Sequence, residues 1–304
     1  MTSINHLAVE SLGDAVLIGN FENGSEGWHN LRNQKGVIGG SQVAAICNFS
    51  AWESPLARYY KATGQIDDKV EPSMSMRLGT KLESPILEIF AEEHPELEVF
   101  TVGTYASASK PYLHANMDAV YKHRDTGEWG IVEIKFSRDY WASEPPIGYR
   151  AQVFHYFNVT GFKQGYIAAL AGSSYMEFPI VFDQFEADYI SEKVEDFHRR
   201  VLELRPPEFD GATSTLEAQR KINPEIDGSE VEIAELLGIG LVNTATRIDE
   251  LTAELNELKA RTLDQMGKSK TAFIDVDGEK FVVAKRQQRG AGSPFIQVEK
   301  GAKK

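Results

Sequence analysis

One short stretch constrains this chain more than any other. Residues 130–136 read Gly-Ile-Val-Glu-Ile-Lys-Phe, an apolar strand that carries two opposite charges. Side chains alternate along a strand, so Ile131, Glu133 and Lys135 share one face and Val132, Ile134 and Phe136 the other. Charge in the middle of a strand is costly to bury unless it is paired or used. An exposed cross-strand pair on a half-wet sheet is one way to place it. A chemical site is the other. Asp118 stands fifteen positions before Glu133 and seventeen before Lys135, and the Asp125-Thr126-Gly127 turn predicts that their two segments form an antiparallel hairpin.

The periodicity around this hairpin predicts a fold of the α/β (α+β) class. Residues 1–35 are polar, with scattered Gly and Asn, and read as an N-terminal arm. Ser41 is the expected N-cap of a short helix over 42–47, and Ser54-Pro55 opens a second helix that Gly64 ends. Leu78, Leu82, Ile86, Ile89 and Phe90 recur at helical spacing over 74–93, with Pro85 predicting a kink or a late start. Strands are expected at about 97–106, 112–122 and 129–136, a helix at 149–159, strands at 164–170 and 175–182, and a helix at 184–204 that Pro206-Pro207 stops. Residues 213–304 differ in character. They read as a helix over about 229–266, a hairpin turning at Asp277-Gly278, and a basic tail. Ile248, Leu251, Leu255 and Leu258 make a short heptad stripe, open to an intramolecular pairing, an oligomer seam or a docking arm.

Composition narrows the class of function. A single cysteine, Cys47, among 304 residues excludes an internal disulfide framework and a four-cysteine zinc or iron–sulfur site. With no run of eighteen apolar residues and no signal-peptide pattern, the expected compartment is the cytoplasm, with no membrane partner. The net charge of −13 argues against a protein that coats DNA, but leaves room for acids that gather metal beside a local basic groove. No Gly-rich phosphate loop is present, so ATP is not expected. His114, His123 and His155 fit no zinc pattern and are read as packing or surface residues. Trp52 and Trp141 are read as core before base-stacking.

Phosphodiester hydrolysis needs an attacking water and a means of absorbing charge on phosphoryl oxygens. Mg²⁺ serves both needs and binds through a few carboxylates, phosphate oxygens and water. Asp118 and Glu133 supply carboxylates from the two strands of one hairpin. Lys135, on Glu133's face, is placed to orient or deprotonate the water and to steady the transition state. Glu83, on the long helix, is a further acid.

The order of several motifs then resembles a known family. Gly39-Gly40-Ser41-Gln42 with the Trp52–Pro55 segment resembles the opening of YqaJ-type viral recombinases. These are relatives of phage lambda exonuclease in the PD-(D/E)xK nuclease superfamily. The helix carrying Arg77 and Glu83, the segment ending in Asp118, the Glu133-Ile134-Lys135 strand and the Gln152–Tyr156 helix resemble that family's successive motifs across about residues 36–182. The chain departs from the pattern at Gln42, where Asp is usual, at Met117, where Pro is common, and at Phe154, where a second Gln is frequent.

The resemblance implies a restriction-endonuclease-like PD-(D/E)xK core over 36–212, with a mixed central sheet flanked by helices. It implies Mg²⁺, with Mn²⁺ as substitute, held by Asp118, Glu133 and the main-chain carbonyl of Ile134, with Glu83 at a second metal or water. Lys135 would activate the nucleophile, Gln152 would hold Lys135 or the scissile region, and Tyr156 would brace its helix. Ser41 would meet a DNA phosphate, with Arg77 a further candidate. The implied activity is 5′→3′ exonuclease digestion of double-stranded DNA ends, leaving 3′ single-stranded tails for an annealing protein of the RecT/Redβ type. A ring-like homo-oligomer, trimer or tetramer, goes with it. A non-cutting recombination scaffold and an endonuclease on the same core stand as alternatives.

Overall fold

The computed structural model describes residues 4–303, apart from 22–24, 33 and 69–70. Contacts divide the chain into two compact units, Met1–Glu225 and Ile226–Lys304. Among the described residues the first unit runs β1 (Asn5–Leu7), β2 (Ser11–Leu12), β3 (Ala15–Gly19), α1 (Glu26–Arg32), β4 (Ile38–Gly39), α2 (Gly40–Ile46), α3 (Pro55–Ala62), α4 (Met74–Glu93), β5 (Leu97–Val102), β6 (Thr104–Ser107), β7 (Leu113–Ala115), β8 (Ala119–His123), β9 (Trp129–Ser137), α5 (Ile147–Thr160), β10 (Gln164–Ala171), β11 (Ser174–Val181), α6 (Gln184–Glu203) and α7 (Thr213–Ile222).

The fold is the expected mixed α/β type. Its main sheet has six strands in the order β1-β5-β8-β9-β10-β11. β8 and β9 pair antiparallel, with Ala119 opposite Val132. β9 and β10 pair parallel, with Glu133 opposite Ile167 and Lys135 opposite Ala169. A parallel pair needs a crossover, and α5 is that crossover. The two faces of β9 enter different cores. Ile131 joins a cluster with Val120, Val153, Phe154 and Ile167, while Val132 and Ile134 join Ile86, Leu87 and Phe90 of α4. Glu133 and Lys135 therefore share the face of Ile131, as strand alternation requires.

A second sheet of five strands has the order β2-β3-β6-β7-β4. It exists because two expected strands are each broken in two. The stretch 97–106 divides at Gly103 into β5 and β6, and 112–122 divides at residues 116–118 into β7 and β8, so each half pairs in a different sheet. Gly103 is needed at the crossing: a β-carbon there would lie 2.5 Å from the Gly19 carbonyl oxygen. The second break leaves Asp118 outside any strand, one residue before β8.

The N-terminal segment is more ordered than its polarity implies. β1 extends the main sheet beside β5, and β3 pairs with β6 in the second sheet. Short strands of two to five residues leave little periodicity to read. Ser41 is not the cap of α2: Gly39 is, and the Gln42 side chain accepts the Gly39 N–H at 3.4 Å. α4 starts at Met74, capped by the Ser73 hydroxyl, and runs on through Pro85. α7 belongs to the first unit rather than to the C-terminal segment. It packs on α3, where Thr215 and Ser54 share a hydrogen bond of 2.7 Å.

The second unit consists of α8 (Glu235–Met266) and a three-stranded sheet of β12 (Thr271–Val276), β13 (Glu279–Gln287) and β14 (Phe295–Lys303), in that order. The strand β14 occupies what the sequence presents as a basic tail. No helix among the described residues is long and apolar enough to cross a membrane.

Candidate active site

The break between β7 and β8 sets Asp118 against the middle of β9. Its Oδ2 accepts the Ile134 N–H at 2.7 Å, which fixes one carboxylate oxygen to the strand that carries Glu133 and Lys135. Glu133 is 1% exposed. One of its oxygens, Oε1, accepts a hydrogen bond from Lys135 Nζ, and the other, Oε2, is buried with no partner. An unpaired buried carboxylate oxygen is expensive. Lys135 also lies over the Tyr149 ring, with Nζ 5.0 Å from its centre. That contact adds a cation–π attraction and limits where the ammonium moves.

The electrostatics of the cluster are dominated by burial. Desolvation first, and Asp118 second, push the Glu133 carboxyl up to about 8. Burial and then Asp118 push Glu83 up to about 7. Burial also raises Asp118, against the opposing effects of Lys135 and the Ile134 N–H. Burial works to lower Lys135, but Glu133 and Asp118 outweigh it and hold the ammonium above its ordinary value. Burial raises all three acids near this one lysine, and with an orphaned oxygen among them the site is short of positive charge. Among the described residues no three such side chains converge as a complete ligand set.

α5 forms the other wall. Gln152 Nε2 donates to Tyr156 Oη at 2.8 Å, and Tyr156 Oη donates to the Asn116 carbonyl at 2.7 Å. One turn of helix is thereby tied to the break that carries Asp118. Burial, then Glu133 and Asp118, keep the Tyr156 phenol well above its ordinary value, so it remains a donor. Gly40 lets α2 approach this turn, since a β-carbon there would lie 2.5 Å from the Tyr156 ring. Gly40→Ala is expected to cost about 1–3 kcal/mol by overpacking, measured as a shift in the urea unfolding midpoint. An unchanged midpoint would show that the two helices yield freely.

These residues line a cavity of about 170 Å³, together with Trp28, Arg32, Ser41 and Asn116. Asp118 also lines a second, acidic cavity of about 500 Å³ with Glu83, Ser84, Glu88 and Glu92. Sequence reasoning missed Trp28 and Arg32, because their segment reads as an arm. Their spacing of four was the available signal, for it puts both on one face of a helix. The Arg32 guanidinium lies 4.9 Å from the Trp28 ring centre and donates to Ser41 Oγ at 3.0 Å. Burial and the nearby Arg58 lower its pKa. The indole Nε1 of Trp28 is buried with no partner.

The structure thus brings Ser41, Asp118, Glu133, Lys135, Gln152 and Tyr156 to one cavity and Glu83 to its neighbour. It does not bring Arg77 there. That side chain is exposed in the first turn of α4. Phe154 is fully buried in the core. His155 is also buried, its Nε2 3.0 Å from the His114 carbonyl oxygen, and burial pushes its pKa down to about 4. Trp141 is core as expected, whereas Trp52 is 89% exposed. A larger cavity, about 630 Å³, lies between the starts of α5 and α6. Its Arg150 and Glu186 are paired with each other at 2.7 Å, and it holds none of the acids described above.

Residues 27–163 match the family described as YqaJ-like viral recombinase domain. No curated protein is similar enough in sequence to match. Among solved structures, the chain is similar to an alkaline exonuclease (LHK-Exo) from Laribacter hongkongensis. Identity is 18% and the TM-score 0.48, over 60% of this chain and 94% of that one. The same exonuclease in complex with dAMP gives 18% identity and a TM-score of 0.49 over the same shares. The cavity that joins Ser41, Asp118, Glu133, Lys135, Gln152 and Tyr156 lies within the residues that match the YqaJ-like viral recombinase domain.

Proposed function

We propose that this protein is a divalent-metal-dependent nuclease that digests linear double-stranded DNA from an end. The observation that carries the proposal is the unpartnered, buried Oε2 of Glu133 beside Asp118. A fold that buries acids at this cost is served by a cation that returns them to their charged form. Asp118 and Glu133, with the main-chain carbonyl of Ile134, would hold Mg²⁺ or Mn²⁺, and Glu83 would serve a second metal or a water. When bound, the metal supplies neutralisation of phosphoryl charge and a water acidified enough to attack.

The chain's own groups do the rest. Lys135 offers N–H donors to the attacking water and to charge growing on the phosphate. Tyr156 and Gln152 hold the Asp118 segment against α5. Arg32 and Ser41 offer donors to a phosphate at the mouth of the cavity, beside the Trp28 ring, on which a base can stack. Local cations of this kind let an acidic protein grip DNA. Arg32→Ala is expected to weaken duplex binding and to reduce the slope of log affinity against log salt by about one, the loss of one phosphate contact. An unchanged slope would remove Arg32 from the interface.

Polarity from 5′ to 3′, delivery of 3′ tails to a RecT/Redβ-type annealing protein, a ring-like assembly and action in the cytoplasm are supported by the family resemblance alone. The test is digestion of end-labelled linear duplex bearing a 5′-phosphate or a 5′-hydroxyl, with and without Mg²⁺, beside a circular plasmid. The expected result is Mg²⁺-dependent release of the 5′ label with the circle intact. Cutting of the circle would make the protein an endonuclease. Binding without any cutting would make it a scaffold.

A further inference from the structure

We propose that one face of the three-stranded sheet β12-β13-β14 binds single-stranded nucleic acid, by stacking of bases on Phe273 and Phe295. The inference is separate from the nuclease reading. The sheet lies outside residues 27–163, and its occupant is judged by binding alone. Charge is the first pointer to the partner. Residues 267–304 hold nine Lys and Arg against four Asp and Glu, in a chain whose net charge is −13. A basic region on an acidic protein attracts a polyanion through its local field.

Strand register gathers the remaining features on one face. Phe273 of β12 stands opposite Val282, and Asp275 opposite Lys280. Thr271, two residues before Phe273, stands opposite Lys285, so Lys285 shares the face of Phe273. On the other side of β13, Lys285 pairs with Gln297 and Gln287 with Phe295. This face therefore carries two phenylalanines, and each has a cation against it. Lys280 Nζ lies 4.6 Å from the Phe273 ring centre, and the Arg289 guanidinium lies 5.4 Å from that of Phe295. The two residues are still 50% and 36% exposed. A cation–π pair in water returns little for leaving a phenylalanine uncovered. The acids of the face are engaged: Asp275 accepts the Gly278 N–H at 3.0 Å, and Glu299 pairs with Lys285 at 2.8 Å. Open rings beside cations suit unpaired bases, whose faces stack on aromatic side chains while their phosphates meet the charges. A duplex keeps its base faces inside its own stack and offers these rings nothing.

The test uses the full-length protein in EDTA, with a short labelled oligothymidylate and a blunt-ended duplex as probes. Phe273→Ala combined with Phe295→Ala should weaken oligothymidylate binding by at least about tenfold and leave duplex affinity unchanged. Phe273→Tyr combined with Phe295→Tyr keeps both rings and should keep the affinity. Lys280→Gln combined with Arg289→Gln should lower the slope of log affinity against log salt by about 0.7 for each cation lost. Oligouridylate in place of oligothymidylate tells which strand, RNA or DNA, is preferred, and the same dependence on the two rings is expected of the preferred one. Unchanged affinity in the alanine variant, an equal loss for the duplex, loss of binding in the tyrosine variant, or an unchanged salt slope would each overturn the proposal. So would displacement of the oligothymidylate by polyglutamate as readily as by its unlabelled form, which would make the face a site for an acidic protein. The readout involves no cleavage, so it succeeds or fails separately from the digestion assay.

Discussion

Glu133→Gln is expected to abolish Mg²⁺-dependent digestion of DNA and, at the same time, to make the metal-free protein more stable at pH 8. The two effects share one cause. Glu133 is buried, with one oxygen unpaired, and burial lifts its carboxyl to about 8. The folded protein therefore holds a proton that the unfolded chain, with an ordinary carboxyl, gives up. Between about pH 4.5 and pH 8 the native state binds more protons than the unfolded state, so stability falls as pH rises through that window. Above it the fold carries a buried charge. Gln keeps the shape and removes the charge. It also forfeits the ion pair with Lys135, but desolvation is the largest cause of the shift and Lys135 retains Asp118 as a neighbour. The melting temperature of the variant should exceed that of the parent at pH 8 and converge with it near pH 4.5. Added Mg²⁺ should stabilise the parent and not the variant. Cleavage should fall by more than the roughly 10–100-fold typical of losing a group that only orients a metal ligand. A variant that digests DNA normally would remove Glu133 from the site. A variant less stable than the parent at pH 8 would show that the ion pair outweighs burial.

The same residue shows why the site was legible in the sequence. Charge inside an apolar strand is a local signal, and strand alternation alone puts Glu133 and Lys135 on the face of Ile131. The hairpin with Asp118 was legible through its Asp-Thr-Gly turn. The helix α4 was legible through apolar spacing, and α5 and α6 were bounded by Gly161 and by Pro206-Pro207, all three within two residues at each end. What was hidden is non-local. Nothing near Gly103 or Asn116 says that a strand must change sheets there, because the reason lies in the Gly19 carbonyl and in β3, remote in sequence. β1 and β3 were hidden because strands of three to five residues carry too little period to read. Arg32 was hidden with them, since its meaning comes from Ser41 and the cavity rather than from its neighbours. Gln42 looked like a lost functional acid. In the fold it is a buried residue whose side chain caps its own helix.

Lys135→Ala separates binding of metal from use of it. In the metal-free site the ammonium holds Oε1 of Glu133 and leaves Oε2 unpaired. It competes with any cation for the same carboxylate. Removing it frees that oxygen and leaves Glu83, Asp118 and Glu133 without their neighbouring positive charge, so Mg²⁺ affinity measured by calorimetry should hold or rise. Cleavage should nonetheless fall by about 10²–10⁴-fold, the usual scale for losing a positioned proton-transfer group or transition-state donor. The Tyr149 ring, 5.0 Å from Nζ, should be left in place, so the fold survives the change. Lys135→Arg then divides the two roles open to the lysine. Arginine keeps the charge but does not give up its proton near neutral pH. Partial activity in that variant would assign Lys135 to charge stabilisation and water orientation. A loss as deep as in Lys135→Ala, with Mg²⁺ still bound, would assign it to proton transfer. Full activity in Lys135→Ala would dismiss the strand as a catalytic element and return its charges to the ordinary business of a half-wet sheet.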